Sequence, residues 1–156
     1  MTVTYEPRRI LKALSDEGVD YVVVGGVAMV VRGSQRVTVD LDIVPRQTPT
    51  NVVALLRAIG VVHGHAVDAD GVDRVSETIR LGEPTRLETD GGTLDVVQGL
   101  PGVPAFDGLF ARADRIELYE LVVAVASADD LIAMKRAAGR PQDREDIAFL
   151  ASLDGA

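Results

Sequence analysis

Arg36-Val37-Thr38-Val39-Asp40-Leu41-Asp42-Ile43-Val44 alternates strictly up to Ile43, with Val37, Val39, Leu41 and Ile43 on one side and Arg36, Thr38, Asp40 and Asp42 on the other. Successive side chains of a strand point to opposite faces, so the stretch predicts a half-buried β-strand over 36–44. Asp40 and Asp42 then project from one face, close enough to repel each other. A divalent cation bridging them removes that repulsion, and Mg²⁺ typically takes one or two carboxylates together with substrate phosphates. A merely solvated strand face carries the same Asp-x-Asp pattern, so the pair gains meaning only from its neighbours.

Upstream, Tyr21-Val22-Val23-Val24 is a β-branched run too short for a helix, read as a buried strand closed by Gly25-Gly26. Residues 27–31 are apolar at helical spacing and end at Gly33-Ser34. A glycine turn at a helix start leaves backbone amides open to a phosphate, and it is also what any tight turn requires. Before it, Pro7 opens an amphipathic helix carrying Ile10, Leu11 and Leu14, which stops near Gly18.

Downstream, Thr48-Pro49 is an N-cap followed by proline at the first helical position, opening a core helix to Gly60. Residues 61–76 show no periodicity and read as loop; His63 and His65 lie there without a third matched ligand. Ser76 to Leu81 predicts a helical turn, and 85–89 and 93–98 predict a hairpin around Asp90-Gly91-Gly92, with Asp95 inside its second strand. After the loop 99–104 come a short helix near 107–113 and strands near 116–118 and 121–125. Ser127, with Asp130 three residues on, opens a helix that Gly139 ends, and Pro141 opens the last helix, to about Leu153. Short strands interleaved with helices predict an α+β fold, a small mixed β-sheet backed by helices.

Lys12 and Lys135 are the only lysines among 16 basic residues. Lys135 falls inside the apolar stripe of Leu131, Ile132, Met134 and Ala138, where a solvated lysine does not belong. Either its stem covers apolar surface while the ammonium snorkels to water, or the ammonium points into a polar cleft. In the last helix, Asp143 and Asp146 share faces with Ile147 and Leu150, so both are expected to lean inward and pair with Arg140 or Lys135.

The chain of 156 residues suits one domain, 1–156. Its formal charge of −8 disfavours broad non-specific binding to phosphate backbones, although a local basic site is compatible with it. Zero cysteines exclude disulfides and thiolate metal sites, which leaves carboxylates and hard cations. With no run near the roughly 18 apolar residues of a membrane span and no basic-then-apolar start, a cytoplasmic protein is expected.

Gly25-Gly26-Val27-Ala28, then Gly33, Arg36, Thr38 and Asp40-Leu41-Asp42, resembles the signature of the DNA polymerase β-like nucleotidyltransferases, in which a glycine turn precedes an Asp-x-Asp strand. The match is nearest to the branch with Gly-Gly in place of Gly-Ser, which includes the AbiEii and MenT toxin nucleotidyltransferases and the lincosamide and aminoglycoside nucleotidyltransferases. Asp130 to Arg136, Gly139-Arg140-Pro141 and Asp143-x-x-Asp146 resemble that branch's closing lysine helix and its Arg-x-x-Asp segment.

The resemblance implies a polymerase β-like palm and Mg²⁺-dependent transfer of a nucleoside monophosphate from an NTP. On it, Asp40 and Asp42 are metal ligands and Asp95 is the third carboxylate, favouring the acceptor-side metal. Gly25 and Gly26 hold the triphosphate, with Arg36 and Thr38 of the same motif at the nucleotide, and Lys135 steadies the leaving pyrophosphate. Two Mg²⁺ ions are expected with bound NTP. Gly26 stands where many superfamily members have serine, which removes a hydroxyl contact to phosphate. The branch's antibiotic-modifying and toxin members usually carry further helices around the acceptor, so the acceptor side is expected to be open or completed by a partner such as an antitoxin. The first expectation for the acceptor is RNA, a tRNA end, as in toxin-type enzymes. A small cationic antibiotic, a polypeptide, or an inactive nucleotide-binding module working through a partner are the competing readings. Asp42→Asn is expected to abolish activity and keep the fold, and Lys135→Met to fold normally.

Overall fold

The computed structural model describes residues 5–66 and 68–153. Among the described residues, seven helices and six strands follow in the order α1 (Pro7–Asp16), β1 (Tyr21–Val24), α2 (Gly25–Val31), β2 (Asp40–Pro45), α3 (Pro49–Val61), α4 (Val75–Arg80), β3 (Thr85–Thr89), β4 (Gly92–Val96), α5 (Phe106–Arg112), β5 (Asp114–Leu118), β6 (Leu121–Val125), α6 (Ala128–Ala138) and α7 (Pro141–Leu153). The strands form one sheet in the order β3-β4-β2-β1-β6-β5. It is mixed as expected: β1 runs antiparallel to β2 and parallel to β6, while β2 runs parallel to β4. Among the described residues, no helix is long and apolar enough to cross a membrane.

Burial follows the alternation. Leu41 and Ile43 of β2, Leu87 of β3 and Leu94 and Val96 of β4 turn to one face and are closed off with Ile10, Leu11 and Leu14 of α1 and Leu55 and Ile59 of α3. Every residue of β1 is buried, because the strand lies mid-sheet with both faces covered. Two sequence signals settle helix ends as read. The Thr48 side chain accepts from the Asn51 N–H, and Gly139 closes α6 in the left-handed region at φ 65°.

The predicted strand over 36–44 is shorter in the fold. β2 begins at Asp40, and Val37 and Val39 are 87% and 63% exposed. The reason is pairing: β1 runs out at Val24 opposite Asp42, and β4 begins pairing only at Thr93 opposite Asp40. Residues 36–39 therefore have no partner strand, and alternation without a ladder does not bury its apolar side. In urea unfolding, Leu41→Ala is expected to cost about 3 kcal/mol, whereas Val37→Thr should change stability by less than about 0.5 kcal/mol. A large loss from Val37→Thr would mean that the 36–39 segment packs in solution.

Candidate active site

One level of the sheet carries the chemistry. Arg86 of β3 pairs with Asp95 of β4, Asp95 with Asp42 of β2, and Asp42 with Val24 at the end of β1. Paired residues direct side chains to the same face, so Arg86, Asp95 and Asp42 stand in a row, with Asp40 two residues before Asp42 on the same side. The two strands contributing carboxylates are parallel neighbours, which is why a residue so distant in sequence as Asp95 arrives beside Asp42.

At the end of this row the chain leaves β1 through Gly25, whose φ is 66°. A Cβ built there would fall 1.8 Å from Asp42 Oδ2, and one on Gly26 would fall 2.5 Å from Thr38 Oγ1. The glycine pair is thus required by the close approach of β2 as well as by the turn. The Gly26 N–H lies toward the Asp42 carboxylate and lowers its pKa. Gly25→Ala should cost about 2 kcal/mol in stability, from positive φ and the displaced carboxylate, with about a hundredfold lower activity.

Burial pushes the Asp42 carboxyl up to about 7, helped by its hydrogen bond with Asp95 and by the charges of Asp95 and Asp40; the Gly26 N–H opposes this. Three carboxylates at one level need a cation, and Arg86 provides one. Its Nη1 lies 2.9 Å from Asp95 Oδ2 and its Nη2 3.2 Å from Asp40 Oδ2. Among the described residues no three acidic or histidine side chains form a ready-made metal cage. Asp40 and Asp95 are instead both turned onto the Arg86 guanidinium.

Lys135 takes the inward option. It is buried, with Nζ 2.8 Å from Asp146 Oδ2 and 3.5 Å from Asp143 Oδ1. Asp146 also forms an ion pair with Arg36 at 2.9 Å, and Asp143 accepts from the Arg140 side chain at 3.1 Å. Burial would raise the Asp143 carboxyl, but the guanidinium and backbone N–H of Arg140 and the charge of Lys135 bring it below the ordinary range. Lys135, Arg36 and Arg140 outnumber the two carboxylates by one positive charge. Normal folding of Lys135→Met, expected from sequence, does not fit a lysine that neutralises two buried acids.

Asp40, Asp42, Asp95, Gly25 and Lys135 all line one cleft of about 740 Å³, within the range of small-molecule sites. Its opposite wall is apolar, from Leu131, Met134 and Ala137 of α6 and Leu100 to Val103 of the loop after β4. Gly26, Arg36 and Thr38 do not line it. Arg36 is held on Asp146, and Thr38 donates to the Asp40 carbonyl at 3.1 Å while packing on Gly26, so these two brace β2 from behind. His63 lies elsewhere, its Nδ1 2.6 Å from Asp90.

The sequence reading passed over Arg86. Its signal was present: a turn at Asp90-Gly91 pairs Thr89 with Gly92 and hence Arg86 with Asp95. What it lacked was the neighbour of β4.

Residues 8–151 match the family described as nucleotidyltransferase of unknown function (DUF6036). No curated protein matches the chain in sequence. The antibiotic-resistance factor ANT(2'')-Ia is similar in structure, with TM-score 0.59 and 12% identity over 94% of this chain and 80% of that one. So is a protein assigned as a nucleotidyltransferase, TM1012 from Thermotoga maritima, with TM-score 0.57 and 16% identity over 96% of this chain and 91% of that one. At these identities the likeness is one of fold.

Proposed function

The chain belongs to the DUF6036 nucleotidyltransferases, and from this premise we propose that its cleft transfers a nucleoside monophosphate from an NTP to an acceptor hydroxyl, with all of 1–156 serving as one catalytic domain. The observation that carries the reading is the register placing Asp42 beside Asp95, with Asp40 on the same face and Gly25 at the row's end.

Asp40, Asp42 and Asp95 are the residues that would hold Mg²⁺, and the donor set fits: three carboxylates on adjacent strands, two of which, Asp40 and Asp95, are already drawn to a positive group in Arg86. When bound, the metal supplies charge neutralisation at the phosphates and a lowered pKa for the acceptor hydroxyl. The chain's own residues do the rest. Gly25 and Gly26 leave the triphosphate an approach free of side chains. The net positive cluster at Lys135 favours the leaving pyrophosphate electrostatically, and Arg36 and Thr38 serve the nucleotide by fixing the strand that carries Asp40 and Asp42. The apolar wall of α6 and the loop 100–103 offers the nucleobase a surface that excludes water.

For the acceptor, the first reading is an RNA end such as that of tRNA, as in the toxin-type members of the Gly-Gly branch that the chain resembles, with an antitoxin as regulator by the same resemblance. The formal charge of −8 favours a second reading, a small cationic acceptor drawn to an acidic surface. Incubating each α-³²P NTP and Mg²⁺ with a bacterial lysate resolved into RNA, protein and small-molecule fractions separates them. Label in the RNA fraction that needs the intact aspartates supports the first reading, and label in the small-molecule fraction the second. Mg²⁺-dependent NTP binding without any transfer would point to an inactive binding module.

A further inference from the structure

Arg86 stands on β3, at the edge of the sheet, and its guanidinium spans Asp95 and Asp40 with one nitrogen on each. The other outward acid of this strand, Glu88, is turned to the Thr93 hydroxyl, which donates to it at 2.8 Å. Arg86 is therefore the guanidinium that balances the carboxylate row. Its side chain is 60% exposed, so its place is set mainly by the hydrogen-bonded ion pairs to Asp95 and Asp40. In both contacts the accepting atom is an Oδ2, and an oxygen that accepts from a guanidinium is not free for a metal ion on the same side.

We propose that Arg86 is a built-in counter-ion for Asp40 and Asp95, the carboxylates that flank Asp42, and that a divalent cation displaces the guanidinium when it loads. The inference rests on the metal-binding reading of these three aspartates. Displacement weakens the apparent affinity for the ion, since the apparent Kd is the intrinsic one divided by the fraction of molecules in which the guanidinium is disengaged. While engaged, the guanidinium offsets part of the negative charge of the row.

The test is Mn²⁺ binding by isothermal titration to the whole protein at pH 8 without nucleotide, comparing the natural chain with Arg86→Gln and Arg86→Lys. Arg86→Gln should bind Mn²⁺ about tenfold more tightly, and its melting temperature should rise further on Mn²⁺ addition than that of the natural chain. Arg86→Lys, which cannot span both carboxylates, should fall between the two. An Arg86→Gln protein that folds only with Mn²⁺ supports displacement as well, since the ion then replaces the guanidinium. Equal or weaker Mn²⁺ binding by folded Arg86→Gln overturns the inference alone, as does a variant left unfolded at saturating Mn²⁺. If neither the natural chain nor the variants bind Mn²⁺, the proposed metal site falls, and this inference with it.

Discussion

Asp42→Asn should abolish nucleotidyl transfer, by a thousandfold or more (about 4 kcal/mol), while making the metal-free protein more stable at pH 8. The two effects have one origin. Asp42 is held near Asp95 and Asp40 in a partly buried row, and its carboxyl is pushed up to about 7 from 3.8. The folded state thus binds a proton that the unfolded state has released, and stability falls as pH rises from about 4 through about 7. Asparagine has the same shape and no charge to confine, so it removes that cost. Urea unfolding should give Asp42→Asn an advantage of about 2 kcal/mol at pH 8 and almost none at pH 4. Mg²⁺ should stabilise the natural protein and leave Asp42→Asn nearly unmoved. An active Asp42→Asn enzyme would sink the metal-ligand assignment, and a variant destabilised at pH 8 would show that the carboxylate is a structural partner instead.

Lys135→Met is the second large effect, and here the loss is in stability. The ammonium is packed between Asp143 and Asp146, whose side chains are 2% and 9% exposed. Removing one partner of a buried ion pair typically costs 3–5 kcal/mol, because the remaining charge has lost both water and its counter-ion. Arg36 and Arg140 stay in place and cover part of the deficit, so about 2–3 kcal/mol is expected at pH 7. The cost should shrink as the pH falls through and below the ordinary carboxylate range, because Asp143, held below that range in the natural protein, then loses the charge that Lys135 balances. Replacing Asp146 as well removes one of the two acids left stranded, while Asp143 keeps Arg140 and Arg36 loses its partner, so Lys135→Met with Asp146→Leu should recover part of the stability. If Lys135 also acts on the leaving pyrophosphate, the stable double variant stays inactive. Recovery of transfer in it would reduce Lys135 to a structural role.

Much of the cleft was legible because its parts are local. The strand-glycine-glycine-helix succession at 21–31, the carboxylates at 40 and 42 and the out-of-place lysine at 135 each break or obey a short-range period that one sequence displays. The inward lean of Asp143 and Asp146 came from the same helical spacing, and the ion pair with Lys135 follows it. The strand start misled because alternation at Val37 and Val39 reports a backbone able to pair, and pairing depends on whether β1 and β4 extend that far. Arg86 was missed although the hairpin register was readable, because its importance comes from a third strand.

By itself, then, the sequence determined the element order, the α+β class, the helix caps at Thr48 and Gly139, and the residue types able to take a hard cation. Periodicity, turn chemistry and side-chain charge act within a few residues, so a single chain records them. Only the tertiary structure decided that β2 and β4 are parallel neighbours, that Asp42 meets Asp95, and that Arg86 reaches across to Asp40. Those contacts depend on sheet order and register, which arise when residues far apart in the chain bury their apolar faces against one another.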